Sequence, residues 1–188
     1  MRFPYIFFVT FILCFVNSSV VAKPRAVILL RHGEEPKSGD SLSKDGWLRA
    51  KRLPLVFERT AISKFGEPVA LFAAKPEFEG QSQRSIQTLR YVGEKFKLKI
   101  QSDFTKDEVK KLVKKVNEED DYDDKLVVIS WPHRFLEEIA EEFGADKIKK
   151  YPDEKFDRLW VLEFPSSKNK KVEFHDLPQR LLMSDDAV

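Results

Sequence analysis

The chain reads as an α/β protein on three observations. Apolar runs of strand length recur at residues 27–30, 69–74 and 126–130, helical segments with one apolar face stand between them, and residues 156–175 carry a hairpin pattern. Strands alternating with helices in this way define the α/β class.

The first run, Val27-Ile28-Leu29-Leu30, stops abruptly on Arg31-His32-Gly33. Four consecutive apolar residues read as a buried strand, so the polar triplet falls where the strand leaves the sheet. That edge is where open α/β sheets bind ligands. A histidine can act as a covalent nucleophile, and an adjacent arginine offers a planar fork of donors that fits phosphate. The pair points to phosphoryl chemistry. Residues 34–40, rich in Pro, Gly, Ser and charge, form an exposed loop. A helix then starts near Ser43, with Trp47, Leu48, Ala50, Leu53, Val56 and Phe57 at spacings of three and four. Residues 69–74 are a second buried strand, and 76–80 the loop beyond it.

Ile86, Leu89, Val92 and Phe96 fall in helical register, which places Arg84 and Gln87-Thr88 in the first turns of that helix. A helix N-terminus carries unsatisfied N–H groups and a partial positive charge that favour bound anions. Arg84 is therefore a second candidate phosphate ligand. Lys99-Ile100 reads as a brief strand, and 105–116 as a helix with Val109, Leu112, Val113 and Val116 on one side and its lysines in solvent. The acidic run 118–124 lacks the glycine and spaced ligands of a calcium loop and reads as a solvated linker. The third buried strand, 126–130, ends in Trp131-Pro132-His133, a second histidine just past an apolar run, with a helix at 135–143 behind it. Residues 156–164 and 172–175 read as the strands of the hairpin, with His175 in a surface role.

Composition narrows the field further. A chain of 188 residues with 42% hydrophobic content is enough for one well-packed domain. Thirty-three basic against 31 acidic residues leave a net charge of +2, without the global field that gathers nucleic acid, so no nucleic-acid partner is expected. Arg2, the apolar stretch 6–16 and Val20-Val21-Ala22 have the layout of a signal peptide over residues 1–22. The expectation is a secreted or periplasmic protein whose mature part, 23–188, is a single domain with no membrane anchor. Cys14, the only cysteine, leaves with the leader. A mature chain without thiols excludes the cysteine-dependent phosphatases. Neither a phosphate-cradling glycine loop ending in Lys-Ser/Thr nor a His-Glu-x-x-His helix is present.

With Arg31-His32-Gly33, Arg84 and His133 in this order, the chain resembles the histidine phosphatase superfamily, the phosphoglycerate-mutase-like family. Leu42-Ser43-x-x-Gly46 followed by Ala50 and Leu53 is similar to the family's first helix, and Arg84-x-x-Gln87-Thr88 to its second-arginine signature. Residues 127–133 are similar to the strand that delivers the second histidine, so the likeness covers 25–145. The resemblance implies a three-layer α/β/α sandwich with a central mixed, mostly parallel sheet and the active site at the carboxyl ends of its strands. It implies His32 as the nucleophile that becomes phosphohistidine, with Arg31, Arg84 and His133 around the phosphoryl oxygens. Preorganised donors of this kind stabilise the charge on a transferring phosphoryl group, with no metal and no cofactor called for.

The implied activity is an exported phosphatase for phosphomonoesters, its partner a small phosphorylated substrate or a phosphopeptide. A non-enzymatic module that binds phosphorylated ligands on the same fold is the alternative, as is a mutase, which the export signal disfavours. Two departures from the family pattern leave the general acid open. The chain runs from Thr88 to Ile100 without the insertion that carries a proton-donating glutamate in phosphoglycerate mutases, and position 134 is Arg where the acid phosphatase branch has Asp. Glu77, Glu79 and Asp103 are the nearest carboxylates in sequence, with Glu79 the candidate proton donor. Trp47 and Trp131 are candidates to stack on a substrate.

Overall fold

The computed structural model describes residues 23–78, 81–146, 148–165 and 171–185. The expected leader, residues 1–22, and the candidate donor Glu79 lie outside them.

β1 (Ala26–Arg31) is buried along its whole length. Val27 and Leu29 pack into one apolar cluster and Ala26, Ile28 and Leu30 into another, as alternate side chains must in a strand covered on both faces. α1 (Lys44–Arg52) is capped by Ser43, whose Oγ accepts from the Gly46 N–H at 3.1 Å. At Pro54 it gives way to a 3₁₀ stretch, Leu53–Glu58, because proline removes a backbone donor and crowds the preceding turn. The short α2 (Thr60–Ser63) leads into β2 (Pro68–Ala73). α3 (Arg84–Phe96) is followed by β3 (Ile100–Gln101) and α4 (Val109–Glu118). β4 (Leu126–Trp131), α5 (Leu136–Glu142) and the hairpin of β5 (Arg158–Glu163) with β6 (Glu173–Pro178) complete the chain.

The strands form one sheet in the order β3-β2-β4-β1-β5-β6. The first four in that order run parallel, and β5 and β6 are antiparallel to their neighbours. Leu112, Val113 and Val116 of α4 and Leu136, Ile139 and Ala140 of α5 cover one face. Leu53, Val56, Ile62 and, from α3, Leu89 and Val92 cover the other. This is the expected three-layer α/β/α sandwich with a mixed, mostly parallel sheet.

Three local readings change. α4 begins at Val109, because residues 105–108 form a turn in which the Thr105 N–H donates to the Glu108 carboxylate at 3.0 Å. The acidic run carries a 3₁₀ turn with buried Tyr122, and Asp124 pairs with Arg25 at 2.7 Å. On α1, Leu48 is 39% exposed while Arg49 is 2% exposed. The guanidinium of Arg49 is drawn inward by Glu34, Asp185 and Gln179.

Register positions the candidate site. Arg31 stands beside Trp131 in the parallel pair β1–β4, so His32 and His133 emerge one and two residues later at the same sheet edge. β5 runs antiparallel to β1, and the segment leading into it, residues 151–157, arrives at that edge as well.

Candidate active site

Arg31 ends β1 and is almost wholly buried. Its Nη1 donates to the carbonyls of Asp153 and, at 3.3 Å, Lys155, and its guanidinium carbon lies 3.8 Å from the centre of the Phe156 ring. These contacts fix the guanidinium plane. Its Nε–H is buried and has no hydrogen-bond partner among the described residues, a donor left for a ligand.

His32 is 8% exposed, with Nδ1 2.8 Å from the Gly33 carbonyl. A carbonyl only accepts, so the proton sits on Nδ1. Burial pushes the ring's pKa down to about 4; the Gly33 carbonyl works against this, and the Arg31 and Arg84 charges reinforce it. At neutral pH the imidazole is uncharged, and its Nε2 lone pair is available as a nucleophile.

The strand exit is held by α3. The Gly33 N–H donates to Thr88 Oγ1 at 2.8 Å, and the Thr88 hydroxyl donates to the Arg84 carbonyl at 2.7 Å. Gln87 Oε1 accepts from the Leu42 N–H at 2.9 Å. Glycine is required where the exit meets α1: a Cβ on Gly46 would stand 2.4 Å from the Glu34 carbonyl oxygen, and one on Gly33 3.1 Å from the Gly46 Cα. The spacing Arg31-His32-Gly33, Ser43-x-x-Gly46 and Arg84-x-x-Gln87-Thr88 is thus one set of backbone contacts.

Arg84 is the first residue of α3. Its Nε donates to the Ser41 carbonyl at 3.2 Å and its Nη2 to that of Gly39, and its Nη1 lies 2.7 Å from Glu35 Oε2. The other oxygen of the same carboxylate, Oε1, lies 3.6 Å from Arg31 Nη2. Glu35 therefore spans the two arginines. His133, from the 3₁₀ turn after β4, places Nε2 3.3 Å from Asp153 Oδ1. Burial, then the Arg31 charge, lowers its pKa, and Asp153 opposes that. Asp153 joins His133 to Arg31, its carboxylate against the imidazole and its carbonyl accepting from the guanidinium. A cavity of about 430 Å³ lined by His133, Arg134, Glu137, Lys150, Tyr151 and Asp153 opens beside them.

Arg31, His32, Arg84 and His133 are thus brought to one sheet edge. Glu77 is turned to Lys106, whose ammonium 3.0 Å away, helped by Gln81, holds its carboxyl below the usual range. Trp131 is wholly buried and donates from Nε1 to the Lys106 carbonyl at 3.0 Å, which makes it a core residue with no face for a substrate. His175 lies on β6 beside Glu163 and Glu173. Sequence reading missed Glu35, Asp153 and Phe156. Glu35 sits in a loop read only as exposed, and its one signal was adjacency to Arg31-His32-Gly33. Asp153 and Phe156 reach the site because β5 reverses direction, which residue spacing does not show.

No protein-family model matches the chain, and no curated protein matches it. Among solved structures it is similar to the protein histidine phosphatase SixA complexed with tungstate. The TM-score is 0.51 at 15% identity, over 82% of this chain and 97% of that one. It is also similar to the crystal structure of SixA from Agrobacterium tumefaciens, with a TM-score of 0.49 at 16% identity over 81% of this chain and 98% of that one. The fold is that of the histidine phosphatases, phosphoglycerate-mutase-like.

Proposed function

We propose that this chain is a phosphatase that hydrolyses phosphomonoesters through a phosphohistidine on His32. The observation that carries the reading is the state of that ring: buried, neutral, with Nδ1–H committed to the Gly33 carbonyl and Nε2 left to attack. Nε2 bonds to phosphorus as the ester P–O bond breaks, and the electron pair leaves on the ester oxygen. Water then attacks the phosphorus, the P–N bond breaks, and its pair returns to Nε2. Arg31, Arg84 and His133 supply donors for the phosphoryl oxygens through both steps. Export of the mature part 23–188 to a periplasm or the medium belongs to the same proposal and rests on the N-terminal sequence pattern.

Support comes from two directions: four side chains from three separate parts of the chain come to one sheet edge, and the fold is shared with the protein histidine phosphatase SixA. A small phosphoester or a phosphorylated side chain is the substrate class. Hydrolysis of p-nitrophenyl phosphate between pH 4 and 8, by the protein and by its His32→Ala variant, tests the proposal. We expect turnover by the first and none by the second. Turnover that survives the substitution overturns the nucleophile, and phosphate binding without turnover in either form favours a phospholigand-binding module.

A further inference from the structure

Resting on the phosphatase reading above, we propose that Glu35 is the proton donor and acceptor of this site, held between the two arginines until a phosphoryl group takes them from it. Two guanidiniums anchored on backbone carbonyls, Arg31 through Nη1 on Asp153 and Lys155, Arg84 through Nε and Nη2 on Ser41 and Gly39, each turn a further nitrogen to one carboxylate. Glu35 reaches both, at 3.6 and 2.7 Å. It stands in for an oxyanion in the seat that a phosphate would claim.

A phosphate dianion, with more charge and more acceptor oxygens, displaces a single carboxylate from paired guanidiniums. The Glu35 side chain is 42% exposed and belongs to the loop after β1, so it can swing outward without disturbing the core. In its protonated form the Glu35 side chain is a carboxylic acid beside the leaving oxygen. As the P–O bond breaks, the Glu35 proton goes to that oxygen and the alcohol departs neutral. In the second step the Glu35 carboxylate takes a proton from the water that attacks phosphorus, and the P–N pair returns to His32. Once phosphate leaves, Glu35 releases that proton and rejoins the arginines. Three other carboxylates pair elsewhere: Asp153 with His133 and Lys150, Glu34 with Arg49, Glu77 with Lys106.

The test is leaving-group dependence in Glu35→Gln, with Asp153→Asn beside it. On 2,4-dinitrophenyl phosphate, whose leaving group departs without a proton, kcat/KM of Glu35→Gln should not fall below that of the parent. On phenyl phosphate it should fall by roughly 10²- to 10⁴-fold, the usual worth of a positioned acid. Inorganic phosphate should inhibit Glu35→Gln at least tenfold more tightly, because the internal competitor has lost its charge. A parallel loss or no loss across the ester series, or a steepening in Asp153→Asn in place of Glu35→Gln, overturns the assignment while the phosphatase reading stands. A parent protein inactive on every ester, or one whose activity survives His32→Ala, overturns that reading and this one with it.

Discussion

His32 is buried, bonded to its own neighbour's carbonyl and within the field of two guanidiniums, and that setting gives its titration a distinctive signature. An ordinary imidazole protonates near pH 6.5, whereas burial sends this one to about 4. With 2,4-dinitrophenyl phosphate, whose departure needs no proton, and after correction for the ester's own ionisation, kcat/KM should therefore hold level from neutrality down to about pH 5 and break only near 4. A break near 6.5 would mean that the ring is solvated. The same shift acts on stability. Between pH 6.5 and 4 the unfolded chain binds a proton at this position that the folded chain does not, so stability is full above 6.5 and falls as pH drops through 4, by about 3 kcal/mol. Urea midpoints taken at pH 7 and pH 4 measure that loss, and His32→Asn should shrink it. Arg84→Ala should weaken phosphate or vanadate binding by roughly 2 to 5 kcal/mol, as for one partner of a buried charge pair. Calorimetry that finds no change would place Arg84 outside the seat. His32 and Arg84 were legible in sequence because each follows a boundary that periodicity marks. Glu35 was not, because loop residues carry no periodicity and the partners that define its role lie elsewhere in the chain.

At the scale of elements, the loop after β1 is held from below by a buried ion network. Arg49 on α1 donates to Glu34 at 2.5 Å, to Asp185 at 2.6 Å and to Gln179 at 3.1 Å. Burial works against its charge, but Asp185 and Glu34 outweigh that and raise its pKa, and Arg49 together with the Leu181 and Leu182 N–H groups lowers that of Asp185. Arg49→Met strands two carboxylates without their counter-charge and should cost about 3 to 5 kcal/mol by denaturant unfolding. An unchanged midpoint would show that the network is solvated. Thr88→Val removes the acceptor of the Gly33 N–H and should cost about 1 to 3 kcal/mol by the same measurement. The helices themselves were readable from three- and four-residue spacing, and Ser43 and Pro54 marked where one begins and changes character. The exchange of Leu48 for Arg49 on the buried face was not readable, since the partners of Arg49 are 15, 130 and 136 positions away.

For the molecule as a whole, the site follows from strand order. β4 lies between β2 and β1, so the chain returns to the centre of the sheet after α4 and brings His133 out at the same end of the sheet as His32. Alternating strands and helices announced the class and the parallel core, and the resemblance supplied the mixed sheet. The antiparallel return of β5 is set by a hairpin partner at the sheet edge, and that is why residues 151–157 entered the site unannounced. The central claim is that Arg31, His32, Arg84 and His133 surround one phosphoryl group with His32 Nε2 in line. A crystal structure of the vanadate complex tests it most directly. The expected result is vanadium bonded to His32 Nε2, its oxygens on Arg31, Arg84 and His133, and Glu35 turned away from the arginines. Vanadate seated elsewhere, or bonded to a different side chain with Glu35 still bridging Arg31 and Arg84, would contradict it.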